Sequence, residues 1–515
     1  MICNFTFYAS KNGNKPQILN TFTMHRNIQQ YNSTMKQFLI FCMIALVGIS
    51  AGAQNFKVTL QAPQYKSGIA FLTYHMGKNL NIEDSAAVSI NGTAVFTAKR
   101  KLLPGVYAVV LPGKRISIDF FVDKEQQISM KVDTTDLVNK TFVTGSKENI
   151  LFQQYQQYIA VKGKLLEAER QAYLQSTTKK DSALHEANYL KLNTALNDYR
   201  EGIVRDNANS MMAVLLNAMK EPQGLTKKMV TRNDSLENYY YYKAHYWDGI
   251  TFMDDRILRT PFFLPKFEKY YREVLSPQSD SIIKAIDYQL LLARNNQEVY
   301  KFMLNWLTDE YMNPKYMGQD AVFVHLFEKY HSKGLTGWLN EKQQETISRR
   351  AYMLMANLIG LKAADLEMID TAGRPASLYK LAADYTIVVF WDPTCGHCKT
   401  ELPRLDSIYR ASWKKNGVKM YAVLSGDPKE DLKKEWTKYI REHNIADWTN
   451  VYQTKEMETA ITEAQKPGFR QLYDITLTPT IYLLDKEKRI IGKKLTLEQL
   501  HELLQVKWSA KPSKK

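Results

Sequence analysis

The residues with the clearest chemical potential are two cysteines separated by two residues, in the tetrapeptide Cys395-Gly396-His397-Cys398. The apolar run at residues 387–391 predicts a strand, and the pattern after it predicts a helix that begins at or next to Cys395. Unpaired backbone N–H groups and the positive end of the dipole at a helix N-terminus favour a thiolate, the form of cysteine that attacks disulfides. The motif therefore predicts thiol–disulfide exchange.

The order of these residues suggests their roles. Cys395 is expected to attack, and Cys398, nearly one helical turn later, to resolve the mixed disulfide by closing the Cys395–Cys398 bond. His397 adds a donor or a positive charge that should lower the pKa of Cys395 further. The redox-active Cys395–Cys398 disulfide is then the reactive group, and neither a separate cofactor nor a metal is expected.

Residues 35–53 carry the pattern of a secretory signal peptide. The basic start Met35-Lys36 is followed by an apolar run of about a dozen residues and by small residues that end at Ala53. This run is shorter than the roughly 20 residues of a membrane-spanning helix. We expect cleavage before Gln54, a periplasmic or cell-envelope location, and a dispensable or untranslated extension at residues 1–34.

The predicted export determines which cysteines the mature protein keeps. Cys3 lies in the extension and Cys42 in the signal peptide, so the mature protein keeps only the pair in the tetrapeptide. A fold held together by disulfides has several spaced cysteines, whereas a single pair separated by two residues closes too small a loop to stabilise a fold. The pair therefore indicates reactivity.

The composition is that of a globular, multi-domain protein. The chain has 515 residues, of which 45 % are hydrophobic and 24 % charged, with a formal net charge of +16. The basic residues are interspersed with acidic ones along predicted helices, which favours a solvated surface over nucleic-acid binding. The expected partners are cysteine-containing periplasmic proteins and a membrane redox partner, with no nucleic acid.

The pattern along the chain divides it into three domains. Residues 54–145 alternate short β-type runs with Asn-Gly and Pro-Gly turns, which predicts an antiparallel β-sandwich. Residues 146–360 show helical spacing, with Ser146 as an N-cap, and predict an irregular all-α domain. Residues 361–515 alternate strands and helices, which predicts an α/β domain with a parallel pair of core strands.

The first domain resembles the β-rich N-terminal domain that precedes thioredoxin modules in some secreted bacterial oxidoreductases. The resemblance rests on the short strands and on the turn Val143-Thr144-Gly145-Ser146 before the first helix.

The last 150 or so residues resemble the thioredoxin superfamily, in particular extracytoplasmic oxidoreductases of the TlpA/ResA type. Phe390-Trp391 leads into the cysteines, Pro403 stands five positions after Cys398, and Thr478-Pro479-Thr480 precedes an apolar strand. The chain between Leu424 and Pro479 is also long enough for the helix inserted in that type.

This resemblance implies a fold and a substrate surface. The C-terminal domain should have the α/β thioredoxin-like fold, with Pro479 in the cis form facing the cysteine pair. Trp391, Gly396, Thr478 and Pro479 would then contact an extended substrate segment.

This sequence departs from the family pattern at two positions, so the residue that accepts a proton near the cysteines is unassigned. Val389 stands where a minimal thioredoxin has a buried Asp, and Ser377 falls where many TlpA/ResA members have a Glu. The Gly-His dipeptide matches protein disulfide isomerase, at roughly −180 mV, rather than thioredoxin, at roughly −270 mV. Since TlpA/ResA modules usually act as reductants, the direction of electron flow stays open.

Other functions are weaker alternatives. Structural zinc needs four ligands, and the mature chain has no second cysteine pair. A copper carrier would typically space its cysteines by three residues, and a partner-binding scaffold would make the redox centre secondary; both remain alternatives.

Aromatic and histidine groups in the helical domain are interpreted as structural. Residues 239–242, with Tyr246 and Trp247, are expected to pack against neighbouring helices rather than to bind a sugar or base. His325 and His331 are six positions apart, which is not the three- or four-residue spacing of a helical metal pair.

Overall fold

The computed structural model describes residues 56–225, 229–427 and 429–509. The predicted signal peptide, its cleavage site before Gln54 and the extension at residues 1–34 lie outside the described residues. The part of the chain that is described contains three successive regions, which are β, α and α/β in character.

The first region consists of two four-stranded sheets packed face to face. Its strands are β1 (Phe56–Gln61), β2 (Ile69–Met76), β3 (Asn79–Ala87), β4 (Thr93–Ala98), β5 (Gly105–Val110), β6 (Ser117–Val122), β7 (Gln127–Val132) and β8 (Thr141–Thr144). The sheet orders are β4-β1-β7-β8 and β3-β2-β5-β6. Apolar residues of both sheets, such as Phe56, Leu72 and Phe120, form one core. The predicted sandwich is confirmed, although β1 and β7 pair in parallel.

The second region is helical, as predicted. Its helices are α1 (Lys147–Gln175), α2 (Lys179–Asp206), α3 (Met211–Met219), α4 (Arg232–Ala244), α5 (Phe263–Lys269), α6 (Ser279–Ala293), α7 (Gln297–Met312), α8 (Asp320–Leu326) and α9 (Glu341–Met355). The hydroxyl of Ser146 accepts a hydrogen bond from the backbone N–H of Asn149, which confirms the predicted N-cap. None of the helices among the described residues has the combination of length and apolar character that crossing a membrane requires.

The aromatic segment of this region is only partly in the core. Tyr246 is fully buried and donates its hydroxyl proton to the carbonyl of Lys266, as the packing interpretation expects. The expectation was wrong for Tyr240 and Tyr241, whose exposed fractions are 62 % and 40 %. They lie on α4, a helix without a buried residue, so helical spacing of aromatic residues did not imply burial there.

The two histidines have separate structural contacts. His325 bonds to Asp287 at 2.8 Å, and His331 bonds to the hydroxyl of Thr308 at 2.9 Å. The structural interpretation of both residues is confirmed.

The third region is built on a seven-stranded mixed sheet. Its strands are β9 (Glu367–Asp370), β10 (Pro375–Ser377), β11 (Tyr385–Trp391), β12 (Val418–Leu424), β13 (Thr449–Tyr452), β14 (Thr480–Leu484) and β15 (Ile490–Lys493), and its helices are α10 (Gly396–Ile408), α11 (Glu430–Glu442), α12 (Lys455–Glu463), α13 (Phe469–Leu472) and α14 (Leu497–Ser509). The order is β10-β9-β13-β12-β11-β14-β15. The central strands β11 and β12 are parallel, which confirms the predicted core pair.

Buried charges join the helical region to this sheet. Lys493 on β15 forms an ion pair with Asp320 on α8 and donates to both oxygens of Asn357. Arg350 on α9 pairs with Asp474, which is 1 % exposed, at 2.7 Å. Because burial of an unpaired charge is costly, these contacts hold the two regions in one arrangement.

Candidate active site

The strand before the cysteines is rigidly held. All seven residues of β11 are buried, and the strand pairs with β12 on one side and β14 on the other. In the loop that follows, the N–H and hydroxyl of Thr394 both donate to the carboxylate of Asp392, at 2.7 and 2.6 Å. The N–H of Cys395 donates to the carbonyl of Asp392. This turn fixes where the first sulfur lies.

Cys395 is the N-cap residue of α10, as the sequence predicts. Its carbonyl accepts the first helical hydrogen bond, from the N–H of Lys399 at 3.1 Å, and its own conformation is extended. The side chain therefore stands at the end of the helix where backbone N–H groups are unpaired. Cys395 and Cys398 are both free thiols, and Pro403 lies inside the same helix.

The Thr478-Pro479 segment lies against Cys395. The thiol of Cys395 donates to the carbonyl oxygen of Thr478 at 3.3 Å, and the peptide bond between Thr478 and Pro479 is cis. Thr480, the first residue of β14, pairs with Phe390 near the end of β11. The sheet thus brings together the two segments that the sequence assigned to one site.

The two thiols have opposite electrostatic environments. Burial acts to raise the pKa of Cys395, but hydrogen bonds from the side chain of Thr478 and from the backbone N–H groups of Cys398 and His397 outweigh it and lower the pKa. Cys398 is 1 % exposed, and burial raises its pKa to about 12. At neutral pH the first cysteine is therefore the better nucleophile.

The two residues between the cysteines are exposed. A side chain at Gly396 would meet no atom within 4 Å, so the space above the helix end is open. The contribution of His397 seen here comes from its backbone N–H, because the helix end directs that group at the sulfur. An influence of the His397 imidazole stays a prediction.

Trp391 lies in the core and not on the surface, where its predicted role as a substrate contact would require it. Its side chain has no exposed surface and packs against Tyr439, with ring centroids 5.1 Å apart. A substrate cannot touch it, since it belongs to the core beneath the cysteine loop. The residue supports the site from below, and its burial leaves no surface for the predicted substrate contact.

The two positions considered for a proton acceptor offer none. Val389 is a fully buried apolar residue in the middle of β11. Ser377 ends β10, which three other strands separate from β11 in the sheet, and its hydroxyl donates to both carboxylate oxygens of Asp365.

One residue of the core that contains the buried thiol was missed by the sequence analysis. Tyr439 on α11 belongs to the same core as Cys398 and Trp391, and its hydroxyl has no hydrogen-bond partner among the described residues. The signal was present in the spacing of Trp436, Tyr439 and Ile440, which places one apolar stripe on the helix. Such a stripe predicts packing and says nothing about a polar atom inside it.

The site is an open surface. Two cavities of about 570 and 580 Å³ are lined by other residues, the first in the helical region and the second also by the C-terminal region. Within residues 56–225, 229–427 and 429–509, no three His, Cys, Asp or Glu side chains are placed to hold a metal ion.

Comparison with known families gives two matches. Residues 359–492 match the model of the AhpC/TSA family, and residues 56–152 match a domain of unknown function, DUF4369. No curated protein matches the chain.

Several solved structures are similar. A domain of a possible thiol-disulfide isomerase from Cytophaga hutchinsonii is 38 % identical, over 30 % of this chain and 96 % of its own, with a TM-score of 0.26. The thioredoxin domain of a thiol-disulfide oxidoreductase from Bacteroides vulgatus is 29 % identical, over 29 % of this chain and 96 % of its own, with a TM-score of 0.24. A thioredoxin-like protein from Bacteroides caccae is 22 % identical, over 56 % of this chain and 98 % of its own, with a TM-score of 0.41.

Proposed function

We propose, from the premise that this chain belongs through residues 359–492 to the thioredoxin-like AhpC/TSA family, that it exchanges disulfides with protein substrates outside the cytoplasm. Cys395 attacks the substrate disulfide, and Cys398 resolves the mixed disulfide. The reactive group is the Cys395–Cys398 couple itself.

The observation that carries this proposal is the asymmetry between the two thiols. Cys395 is accessible, and its pKa is lowered, whereas Cys398 is buried, and its pKa is raised to about 12. A pair with one reactive and one protected thiol attacks in a fixed order, because only the accessible sulfur reaches an external disulfide. A structural or metal-binding pair does not need this difference.

Protein rather than small-molecule substrates fit the surroundings of Cys395. The helix end is open at Gly396, and Leu477, next to Thr478, is 77 % exposed. An extended peptide can pair with the backbone at Thr478 in the manner of strand addition once the Cys395 thiol no longer donates to the Thr478 carbonyl, with its own cysteine above Cys395.

The location and partners follow from the sequence pattern. The signal peptide predicted at residues 35–53 supports a periplasmic or cell-envelope location. There the substrates are cysteine-containing periplasmic proteins, and a membrane redox partner returns the couple to its active state. The Gly-His dipeptide supports a potential nearer that of protein disulfide isomerase, roughly −180 mV.

Trapping experiments test the proposal. In a Cys398→Ser variant, Cys395 should form mixed disulfides with substrate proteins that are not released, and a Cys395→Ser variant should form none and lose disulfide-exchange activity. Equilibration of the wild-type couple with glutathione gives its potential and hence the direction of exchange. Full exchange activity of purified Cys395→Ser protein would contradict the proposal.

A further inference from the structure

A cavity of about 580 Å³, which we call the joint cavity, lies where the helical region meets the C-terminal region. Residues 313–318, Asp320 and two residues of α9 line it from the helical region, and Asp474, residues 493–495 and α14 line it from the C-terminal region. Neither cysteine belongs to this lining, so the cavity is separate from the redox site. Its volume is typical of sites that bind small organic molecules.

The apolar part of the joint cavity is open to solvent. Tyr316, Met317 and Val506 have exposed fractions of 50 %, 51 % and 63 %, and Leu495 and Leu503 extend this part of the lining. Single exposed apolar residues are common on protein surfaces, but these come from three separate segments and meet in one concavity. A bound apolar group removes them from water, which is favourable.

The charged part of the joint cavity carries a surplus positive charge. Asp474 is 1 % exposed, and its two carboxylate oxygens accept hydrogen bonds from Arg350 at 2.7 Å and from Lys494 at 2.6 Å. One carboxylate therefore faces two cations, whereas the neighbouring pair of Lys493 with Asp320 is neutral in itself. Since the side chains of Arg350 and Lys494 are only 17 % and 40 % exposed, water screens the surplus charge incompletely.

The other charged residues nearby do not neutralise this surplus. Glu502 and Lys315 also line the joint cavity, but both are exposed and carry opposite charges, and solvent screens each of them. The C-terminal residues 510–515 have the wrong charge to occupy the cavity, because they carry three lysines and no acidic side chain. The charge of the joint cavity therefore favours an anionic ligand.

We propose that the joint cavity binds a small carboxylic acid with an apolar chain. Its carboxylate pairs with Lys494 and Arg350 beside Asp474, and its chain covers Met317 and Val506. A neutral apolar molecule leaves the surplus charge unpaired, whereas an inorganic anion leaves the apolar part exposed, so a ligand with both groups fits best. The inference does not depend on the proposed redox function.

Octanoate is a suitable probe of the joint cavity. Saturation-transfer NMR with the purified protein should show saturable binding of octanoate, with a dissociation constant of about 1 mM or below. Octan-1-ol has the same chain without the charge and should bind about ten-fold more weakly. Absence of saturable octanoate binding, or equal binding of the two compounds, would overturn the inference. A chain that ends at Ser509 should bind octanoate as the full chain does, and much tighter binding would instead make the C-terminal residues the occupant.

Three variants locate the binding site. Lys494→Gln leaves Asp474 in a neutral pair with Arg350 and should weaken octanoate binding about ten-fold without changing octanol binding. Val506→Gln should weaken the binding of both compounds, because it removes part of the apolar lining. Lys507→Gln removes a positive charge from α14 at a residue outside the lining and should change neither. If Lys507→Gln weakens octanoate binding as much as Lys494→Gln does, the assigned site is wrong.

Discussion

The thiol of Cys395 donates to the carbonyl oxygen of Thr478 at 3.3 Å, across 83 positions of the chain. This contact joins the start of α10 to the segment before β14. It can exist only while the sulfur carries a proton, so it is lost when the thiolate forms. On the proposed function, the carbonyl of Thr478 would then be available to a substrate backbone N–H, and activation of the nucleophile would be linked to substrate binding.

The first prediction concerns the reactivity of Cys395. In a Cys398→Ser variant, its alkylation rate should follow a thiolate titration with a midpoint below the ordinary value of about 8.5, because backbone N–H groups and the Thr478 side chain lower the pKa. Iodoacetamide labelling across pH, read by mass spectrometry, measures the midpoint. The matched Cys395→Ser variant should stay almost unlabelled, since Cys398 is buried. A midpoint at or above 8.5 would contradict the proposed activation.

The second prediction concerns the joint between the β region and the first helix. The side chain of Asn149 accepts from the N–H of Phe121 at 2.7 Å and donates to its carbonyl at 2.8 Å, in a buried position. Asn149→Ala leaves both backbone groups unpaired and should lower the free energy of unfolding by about 2 to 4 kcal/mol. Urea denaturation measures this loss. Asn139→Ala, at an exposed asparagine, serves as the control and should change it by less than about 0.5 kcal/mol.

The third prediction concerns the buried pair Lys493 and Asp320, whose side chains are 7 % and 4 % exposed. Lys493→Met should destabilise the protein by about 3 to 5 kcal/mol, because it leaves a carboxylate buried without a partner. The double variant with Asp320→Leu should be more stable than Lys493→Met alone. A double-mutant cycle from urea unfolding gives the coupling energy, and additive losses would show that the pair does not join the regions energetically.

The fourth prediction is a pH effect at His331. Burial lowers the pKa of His331 to about 4 in the folded state, whereas the unfolded value is about 6.5. The unfolded chain therefore binds the proton more readily, and stability falls as the pH drops from about 6.5 to about 4. The loss due to this residue is about 2 to 3 kcal/mol. Thermal unfolding of His331→Gln across this pH range should show a smaller acid loss than wild type.

The arrangement around the cysteines was predictable because local patterns specify it. The continuous apolar run of β11, the cysteine spacing and Thr478-Pro479-Thr480 each carry a local signal, and the structure places them together as expected. The same holds for the parallel pairing of β11 with β12. Edge strands such as β10, with three residues, are too short to show a period.

Other parts of the site depend on tertiary packing. Trp391 was assigned to the substrate surface because it stands next to the motif, but the direction of its side chain is set by the alternation of β11 and by α11. Tyr439 lies 41 positions after Cys398, on a helix whose docking no local pattern predicts. Tyr240 and Tyr241 show the converse, since aromatic residues remain exposed when no neighbouring helix covers them.

The central place of β1 has a consequence for the order of folding. This strand lies between β4 and β7, and Lys57 pairs with both Thr97 and Gln127. During synthesis β1 leaves the ribosome first, yet one of its two edges stays unpaired until β7 has followed. The β region therefore cannot fold hairpin by hairpin from its start, and its closure must await a contact between distant segments, which makes it slow in comparison with the helices behind it.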